Sequence, residues 1–371
     1  MKIEELSIEE KVGQMIMIGL DTSNAMNKID DLILKYKIGG VLLYKKNYKN
    51  YYELIELVNY IKKLNTANKI PIFIAIDQEG GRVNRMPGDF EKLPSAYKLT
   101  QFSEKQSEDL VKESGKITGE MLNKIGINMN FAPVLDIKRF DDKHAIGDRA
   151  YSDNLNIISK YGIEYMKELQ SNNVVSVVKH FPGHGATYKD SHFILPIIKN
   201  KMCELEKEDM IPFEDAIKEG ADALLISHLL IKGETQKMPA SMSRRFITKY
   251  IRKKYRYKGL IITDDMRMNG VRILYGKNRP VKKAFYAGND IILMKYGEDE
   301  KIIENIVKEI KKSPLKEARV NRSVRRILKM KEKYYISDKE IETDEKFKKN
   351  INDKIIKIRD EIERRENNEK N

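Results

Sequence analysis

The chain has no tryptophan and only one cysteine, Cys203, in 371 residues. A single cysteine excludes an intramolecular disulfide and fits a reducing compartment. Without tryptophan, any aromatic platform for a flat ligand ring must be Tyr or Phe, or be missing. Long apolar runs are absent as well, and no stretch reaches the roughly 20 residues needed to cross a bilayer. The first residues, Ile3-Glu4-Glu5-Leu6-Ser7-Ile8-Glu9-Glu10-Lys11, read as a capped helix and not as an apolar leader. A cytoplasmic protein is the expectation. Histidine is scarce too, with five in the whole chain, three of them in one short segment.

The remaining composition, 41% hydrophobic and 34% charged, is ordinary for a soluble globular enzyme with a large core. The formal net charge of +14 raises the question of an anionic partner. Lys and Arg are interspersed with Asp and Glu along the chain, and we read neither an Arg-rich arm nor an aromatic-interleaved basic motif. No nucleic acid and no membrane are therefore expected as partners, and a monomer is expected.

Short apolar runs recur along the chain with helical patterns between them: 15–19, 39–44, 70–77, 127–133, 174–180, 221–228, 259–265 and 290–294. Strands that are apolar throughout, alternating with helices, belong to a parallel sheet buried on both faces. Eight such units in this length fit a closed (β/α)8 barrel of the TIM type, with a doubly wound open sheet as the competing arrangement. The position of polar residues favours the barrel. Asp77-Gln78-Glu79, Lys179-His180, Ser227-His228 and Asp264-Asp265 all fall at strand C-terminal ends, where barrels build their active sites. The expected organisation is a catalytic barrel over residues 1–336 and a charged helical tail over 337–371. Within the tail, Phe347, Ile351, Ile355, Ile358 and Ile362 repeat at spacings of three and four, the stripe of a helix docked on the outside of the barrel.

The densest chemistry lies in His180-Phe181-Pro182-Gly183-His184-Gly185, followed by Asp190-Ser191-His192. A buried strand ends in Lys179-His180 and opens into a Gly/Pro-rich loop that returns an Asp and a His. An Asp two residues before a His can fix the imidazole tautomer and tune its basicity, as proton transfer requires. The same groups could bind zinc, but Pro182 and Gly183 forbid the helix on which a His-x-x-x-His metal motif depends. The second element is Thr263-Asp264-Asp265-Met266. Two carboxylates at the exit of a buried strand need a partner or a task, because burying charge is costly. One can face the barrel mouth as base, metal ligand or nucleophile, while the other anchors a loop. A carboxylate nucleophile with a proton-donating His is the equipment of a retaining glycosidase in which His replaces the second carboxylic acid.

At this point the chain resembles glycoside hydrolase family 3, and within it the β-N-acetylglucosaminidase (NagZ-type) branch. The resemblance rests on motifs in the family's order: Asp77-Gln78-Glu79-Gly80-Gly81-Arg82-Val83-Asn84-Arg85, Asn130-Phe131-Ala132-Pro133-Val134-Leu135-Asp136, Ile146-Gly147-Asp148-Arg149, Lys179 to Gly185, Asp190-Ser191-His192 and Thr263 to Met266. It covers nearly all of the chain except the charged tail. It implies a retaining, exo-acting hydrolase of terminal β-linked N-acetylglucosamine, acting on peptidoglycan fragments in cell-wall recycling, with no metal and no cofactor. It also implies Asp264 as nucleophile, His192 as acid/base oriented by Asp190, and Asp77, Arg85, Arg149, Lys179 and His180 as sugar-binding residues. Asp265 reads as a loop anchor, Asp136 and His228 as supports for the site, and Gly80-Gly81 as a tight turn. With no second large domain in the sequence, every catalytic group is expected from the barrel. A β-glycoside phosphorylase, a non-catalytic sugar-binding relative and a metal-dependent hydrolase are the competing readings.

Overall fold

In chain order the strands of the computed structural model are β1 (Ile16–Gly19), β2 (Gly40–Leu43), β3 (Phe73–Ile76), β4 (Met129–Asn130), β5 (Val175–Phe181), β6 (Ile197–Ile198), β7 (Ala223–Ile226), β8 (Leu230–Ile231), β9 (Leu260–Thr263) and β10 (Ile292–Lys295). The structure describes all residues except 1–2, 21–25, 143, 188–194, 234, 236–237, 277, 296–298 and 370–371. Eight strands form one parallel sheet in the order β10-β1-β2-β3-β4-β5-β7-β9, and β6 pairs with β8 in a small separate ribbon. The two outer strands meet and close the sheet: Thr263 N donates to Ile291 O (3.1 Å) and Leu293 N to Thr263 Oγ1 (3.0 Å). Closure leaves no exposed strand edge. The result is a (β/α)8 barrel, and each of the eight apolar runs coincides with one of its strands, β5 and β10 each extending one residue past theirs.

A helical segment follows each barrel strand before the next: Met26–Leu34, Tyr51–Asn65, Glu104–Lys124, Leu155–Ser171, Ile211–Lys218, the π-helical Arg245–Lys254, Asn278–Ala287 and Asp299–Lys311. Their starts are written locally. Asn50 accepts from Glu53 N and Asn154 from Ile157 N, each satisfying a backbone donor that has no partner inside the helix. The N-terminal helix Ile8–Gln14 has a reciprocal cap, with Ser7 N donating to Glu10 (2.8 Å) and Glu10 N to Ser7 (3.1 Å). The strands are covered by these helices outside and by side chains inside, which is why they read as unbroken apolar runs.

The floor of the barrel is closed by the helix Pro314–Lys333. Lys331, almost fully buried, donates to Gln14 Oε1 (2.7 Å), Gly39 O (3.0 Å) and Pro71 O (2.6 Å), just below β1, β2 and β3. Ser323 and Arg326 bind Asp290 below β10 (2.6 and 3.1 Å). Lys333 and Tyr334 bind Asp222 below β7. One helix thus ties the lower ends of five strands together.

The tail forms the helix Glu345–Glu369, and Ile351, Ile355, Ile358 and Ile362 are buried beneath it. It lies on the outer helix Glu104–Lys124, with Lys354 on Glu120 (2.6 Å), and on the loop after Arg85, where Asn352 Nδ2 donates to Asp89 O (2.9 Å). Each buried Ile contributes about 2 kcal/mol relative to exposure. The stripe is consumed by docking on the barrel, as its spacing suggests.

Candidate active site

At the C-terminal ends of the strands is a cavity of about 250 Å³, lined by Asp77, Arg85, Arg149, Lys179, His180 and Asp264. These are all the sequence-derived site residues that lie within the described part of the chain. Asp190 and His192 fall in 188–194, outside the described residues. The described residues on either side are Thr187, whose carbonyl faces His144 Nε2 (3.0 Å), and the buried Leu195.

The cations of the cavity are organised by a residue that the reading of the motifs passed over. Lys179, on β5, bridges Asp77 Oδ1 (2.7 Å) and Glu79 Oε1 (2.5 Å). Glu79 also holds the Arg149 guanidinium in a bidentate pair, Nε to Oε2 at 2.7 Å and Nη2 to Oε1 at 2.8 Å. The Glu79 side chain is 6% exposed. Burial pushes its carboxyl up, but the adjacent Arg149 and Lys179 charges prevail and hold it well below the usual carboxylate range. Burial lowers Arg149, and the Glu79 charge more than offsets this, so it is raised above its ordinary value. A signal for this role existed in the sequence. Asp77 and Glu79 are two apart in an extended segment and so share a face, and two buried cations nearby need more than one anion.

The loops hold these groups in place. Gly80 and Gly81 have φ of +95° and +54°, and a Cβ on Gly80 would lie 2.4 Å from Pro94 O. Only glycine permits the turn that brings Arg85 back over the end of β3. Gln78 stiffens that turn, accepting from Arg85 N (2.9 Å) and donating to Asn84 Oδ1 (2.7 Å). Arg149 sits on the short 3-10 turn Gly147–Arg149, clamped by Arg82 through His144 O (2.7 Å), Ile146 O (2.8 Å) and Asp148 Oδ1 (2.9 Å).

His180 is held by Asp136, which is fully buried and accepts from His180 Nδ1 (2.6 Å) and from the backbone N–H of His184 (2.6 Å). Burial raises the Asp136 carboxyl, but the facing histidines and their hydrogen bonds hold it below its ordinary value. Arg149 Nη2 lies 3.4 Å from His180 Nε2. A guanidinium only donates, so Nε2 accepts and Nδ1 carries the proton given to Asp136.

Both adjacent carboxylates line the cavity, but they differ in exposure and in what they hold. Asp264 lines the cavity half-buried, its own N–H fixed to Ile226 O (2.9 Å) and its Oδ1 accepting from Asp265 N (2.8 Å). Asp265 is buried and accepts from Arg267 N (2.9 Å) and Lys295 N (3.2 Å), anchoring the ends of β9 and β10 to each other. Burial pushes its carboxyl up to about 6. His228 supports the same turn, with Nδ1 on Ser241 Oγ (2.7 Å) and Nε2 on Asp265 O (2.9 Å). Tyr44 and Phe131 are the aromatic residues of the described lining. Among the described residues no group of three or more His, Cys, Asp or Glu side chains is arranged to hold a metal ion. Chemically, the cavity brings carboxylates together with cationic and imidazole groups that can donate and accept hydrogen bonds.

A family profile described as "Glycosyl hydrolase family 3 N terminal domain" matches residues 7–330. The chain belongs to glycosyl hydrolase family 3. Similar proteins include a beta-hexosaminidase of Neisseria meningitidis serogroup A, 33% identical over 266 residues that cover 71% of this chain and 72% of the relative. Another is beta-hexosaminidase A of Pseudoalteromonas piscicida, 29% identical over 82% of this chain. The match takes in 55% of that protein, so the chain spans about half of its length. A solved family 3 β-N-acetylglucosaminidase from Paenibacillus sp. superposes with a TM-score of 0.85 at 28% identity, covering 95% of this chain and 68% of that one. A β-N-acetylhexosaminidase from Beutenbergia cavernae, at 22% identity, shares the fold with a TM-score of 0.80 over 88% of this chain and 99% of its own.

Proposed function

We propose that this family 3 chain is a retaining, exo-acting β-N-acetylglucosaminidase that releases terminal β-linked N-acetylglucosamine from peptidoglycan fragments during cell-wall recycling. The observation that carries the reading is the convergence of Asp264 with Asp77, Arg149, Lys179 and His180 on one small cavity. A volume of about 250 Å³ lies at the small end of ligand sites and suits one terminal ring. Relatives named beta-hexosaminidase support the same substrate class.

In this reading Asp77 accepts from ring hydroxyls, and Lys179, Arg149, Arg85 and His180 orient the sugar and its acetamido group. Asp264 attacks the anomeric carbon and the glycosidic bond breaks, leaving a glycosyl ester on Asp264. His192, oriented by Asp190, protonates the departing oxygen. It then takes a proton from the water that cleaves the ester, so the configuration is retained. No metal or cofactor takes part. The acceptor is water, the enzyme works as a monomer on a small glycoside, and the charged tail 337–371 is an appendage to the catalytic barrel 1–336. No helix among the described residues is long and apolar enough to cross a membrane. A cytoplasmic site of action is part of the proposal.

The test is hydrolysis of a chromogenic β-N-acetylglucosaminide against the matching β-glucoside, with and without phosphate, followed by proton NMR of the first-formed sugar. Strong preference for the N-acetyl substrate, indifference to phosphate and an initial β-anomer are expected. Preference for the glucoside would overturn the substrate assignment, a sugar phosphate product the hydrolysis, and an initial α-anomer the covalent route.

A further inference from the structure

Of the nitrogen-bearing side chains in the cavity, Lys179 and Arg149 are fixed by carboxylates and His180 by Asp136. Arg85 is held differently. Its Nε is buried without a hydrogen-bond partner among the described residues, and no ion pair among them fixes its guanidinium. The placing of the Arg85 side chain therefore falls to its backbone, which belongs to the long loop between β3 and the helix Glu104–Lys124. On the barrel side that backbone is pinned by Gln78, which accepts from Arg85 N (2.9 Å), and by the buried Tyr48, whose hydroxyl donates to Arg85 O (3.0 Å).

On its other side the loop is gripped by the tail. Asn352 donates through Nδ2 to Asp89 O (2.9 Å) and accepts at Oδ1 from Glu91 N (2.9 Å), pairing with the loop backbone as a neighbouring strand would. The two bonds bracket Phe90, which is buried edge-on against Tyr51 with ring centres 5.6 Å apart. The grip reaches back towards Arg85 through a turn, since Phe90 N donates to Pro87 O (3.1 Å). Lys348 on Asp89 (3.4 Å) and Arg359 on Glu91 (2.5 Å) flank the amide; the second pair is exposed and contributes little. An amide bonded to one backbone donor and one backbone acceptor fixes both the position and the tilt of the segment, because each bond weakens steeply off its axis. The isoleucine stripe would dock the tail without Asn352, whose two bonds both go to the loop.

We propose, building on the reading of Arg85 as a sugar-binding residue, that Asn352 is a positioning residue through which the tail helix straps the Arg85 loop in place for substrate. The test is a double-mutant cycle in the full chain, with Asn352→Ala, Arg85→Ala and the two combined, measured on the chromogenic β-glycoside that the parent cleaves. Alanine suits a helix, so Asn352→Ala should fold as the parent does. It should lower kcat/KM by about tenfold, mainly through KM, a part of the roughly 100-fold that a misplacement of about 1 Å can cost. In the Arg85→Ala background the same change should cost less than about twofold, because the group it positions is gone. Lys354→Ala, which cuts the tail's pair with Glu120 (2.6 Å) away from the loop, should keep the parent's kcat/KM. Hydrogen exchange gives a readout that needs no substrate: the amides of residues 85–91 should exchange faster in Asn352→Ala and at the parent's rate in Lys354→Ala. Full additivity in the cycle, unchanged exchange over 85–91, or an equal loss in Lys354→Ala would each overturn the strap. A parent that cleaves no β-glycoside would overturn the functional reading itself, a failure the parent shows before any variant is made.

Discussion

Replacing Glu79 by Gln keeps the side chain's size and removes its charge, which leaves Lys179 paired with Asp77 alone and Arg149 without an ion-pair partner among the described residues. The Lys179 and Arg149 side chains are only 3% and 15% exposed, so water cannot easily take over the missing anion. Removing one partner from a buried ion pair costs about 3–5 kcal/mol, because the orphaned charge keeps its burial penalty. At roughly 2.1 cal/mol/K per residue, unfolding entropy for a chain of this length is about 0.8 kcal/mol/K, so the melting temperature should fall by about 4–6 °C. Turnover should fall further than stability. The two cations are proposed to position the sugar, and a misplacement of about 1 Å can cost about 100-fold in kcat/KM. There is also a signature in pH. The Glu79 carboxyl is held below its ordinary value of 4.5 in the folded chain, so its stabilisation is present above that value and is lost as the pH falls below it. Denaturant unfolding of the parent should therefore lose stability on the acid side with a component that Glu79→Gln lacks. The assays are calorimetry, urea titration between pH 3 and 7, and kinetics on a chromogenic N-acetylglucosaminide. A Glu79→Gln protein with an unchanged melting temperature and unchanged kcat/KM would refute the argument and show that the charge of Glu79 is not needed to hold the two cations.

Asp264→Ala should retain the parent's melting temperature and lose all turnover, because the covalent route has no other nucleophile. Asp265→Ala strands the N–H groups of Arg267 and Lys295 and should cost about 2 kcal/mol of stability; exchanged phenotypes in the two variants would reverse the assignment. The Asp265 carboxyl is raised to about 6, so its contribution to stability is present below the ordinary carboxylate range and is lost as the pH rises through 6. Asp265→Asn should lack that loss between pH 4 and 7 in urea titrations. His192→Ala should be crippled on sugars with poor leaving groups and much less affected on activated aryl glycosides, with Asp190→Ala showing the same pattern more mildly; equal loss on both substrate types would make His192 a binding residue. Lys331→Met leaves Gln14 Oε1 and Pro71 O without their donor, and should lower the urea midpoint by the equivalent of about 2 kcal/mol while kcat/KM stays at the parent's value.

The barrel was legible because its strands are buried on both faces, which writes them as short unbroken apolar runs, and because their polar ends coincide with the loops that bear function. The docked tail was legible for a related reason, since a stripe at spacings of three and four has to cover something apolar. Glu79 was not singled out although it lies inside a motif that was. Its importance comes from Lys179 and Arg149, which are 100 and 70 residues away in the chain, and local spacing carries no trace of such a pairing until the fold brings the ends of β3 and β5 to the same mouth of the barrel. Asp136 and His228 were read as supports, and in the structure they hold His180 and the Asp265 turn. Lys331 reads as an ordinary surface lysine on a charged helix, and only the closed floor shows that it is buried.

That floor bears on how the molecule comes into being. All eight barrel strands have been synthesised once residue 295 is made, yet the hydrogen bonds that gather the lower ends of β1, β2, β3, β7 and β10 come from Ser323, Arg326, Lys331, Lys333 and Tyr334. A nascent chain must therefore hold a complete set of strands with an open base until the helix Pro314–Lys333 has emerged from the ribosome. Any frameshift or proteolytic cut before Lys331 would leave every side chain proposed to bind sugar present on a barrel whose base lacks those hydrogen bonds.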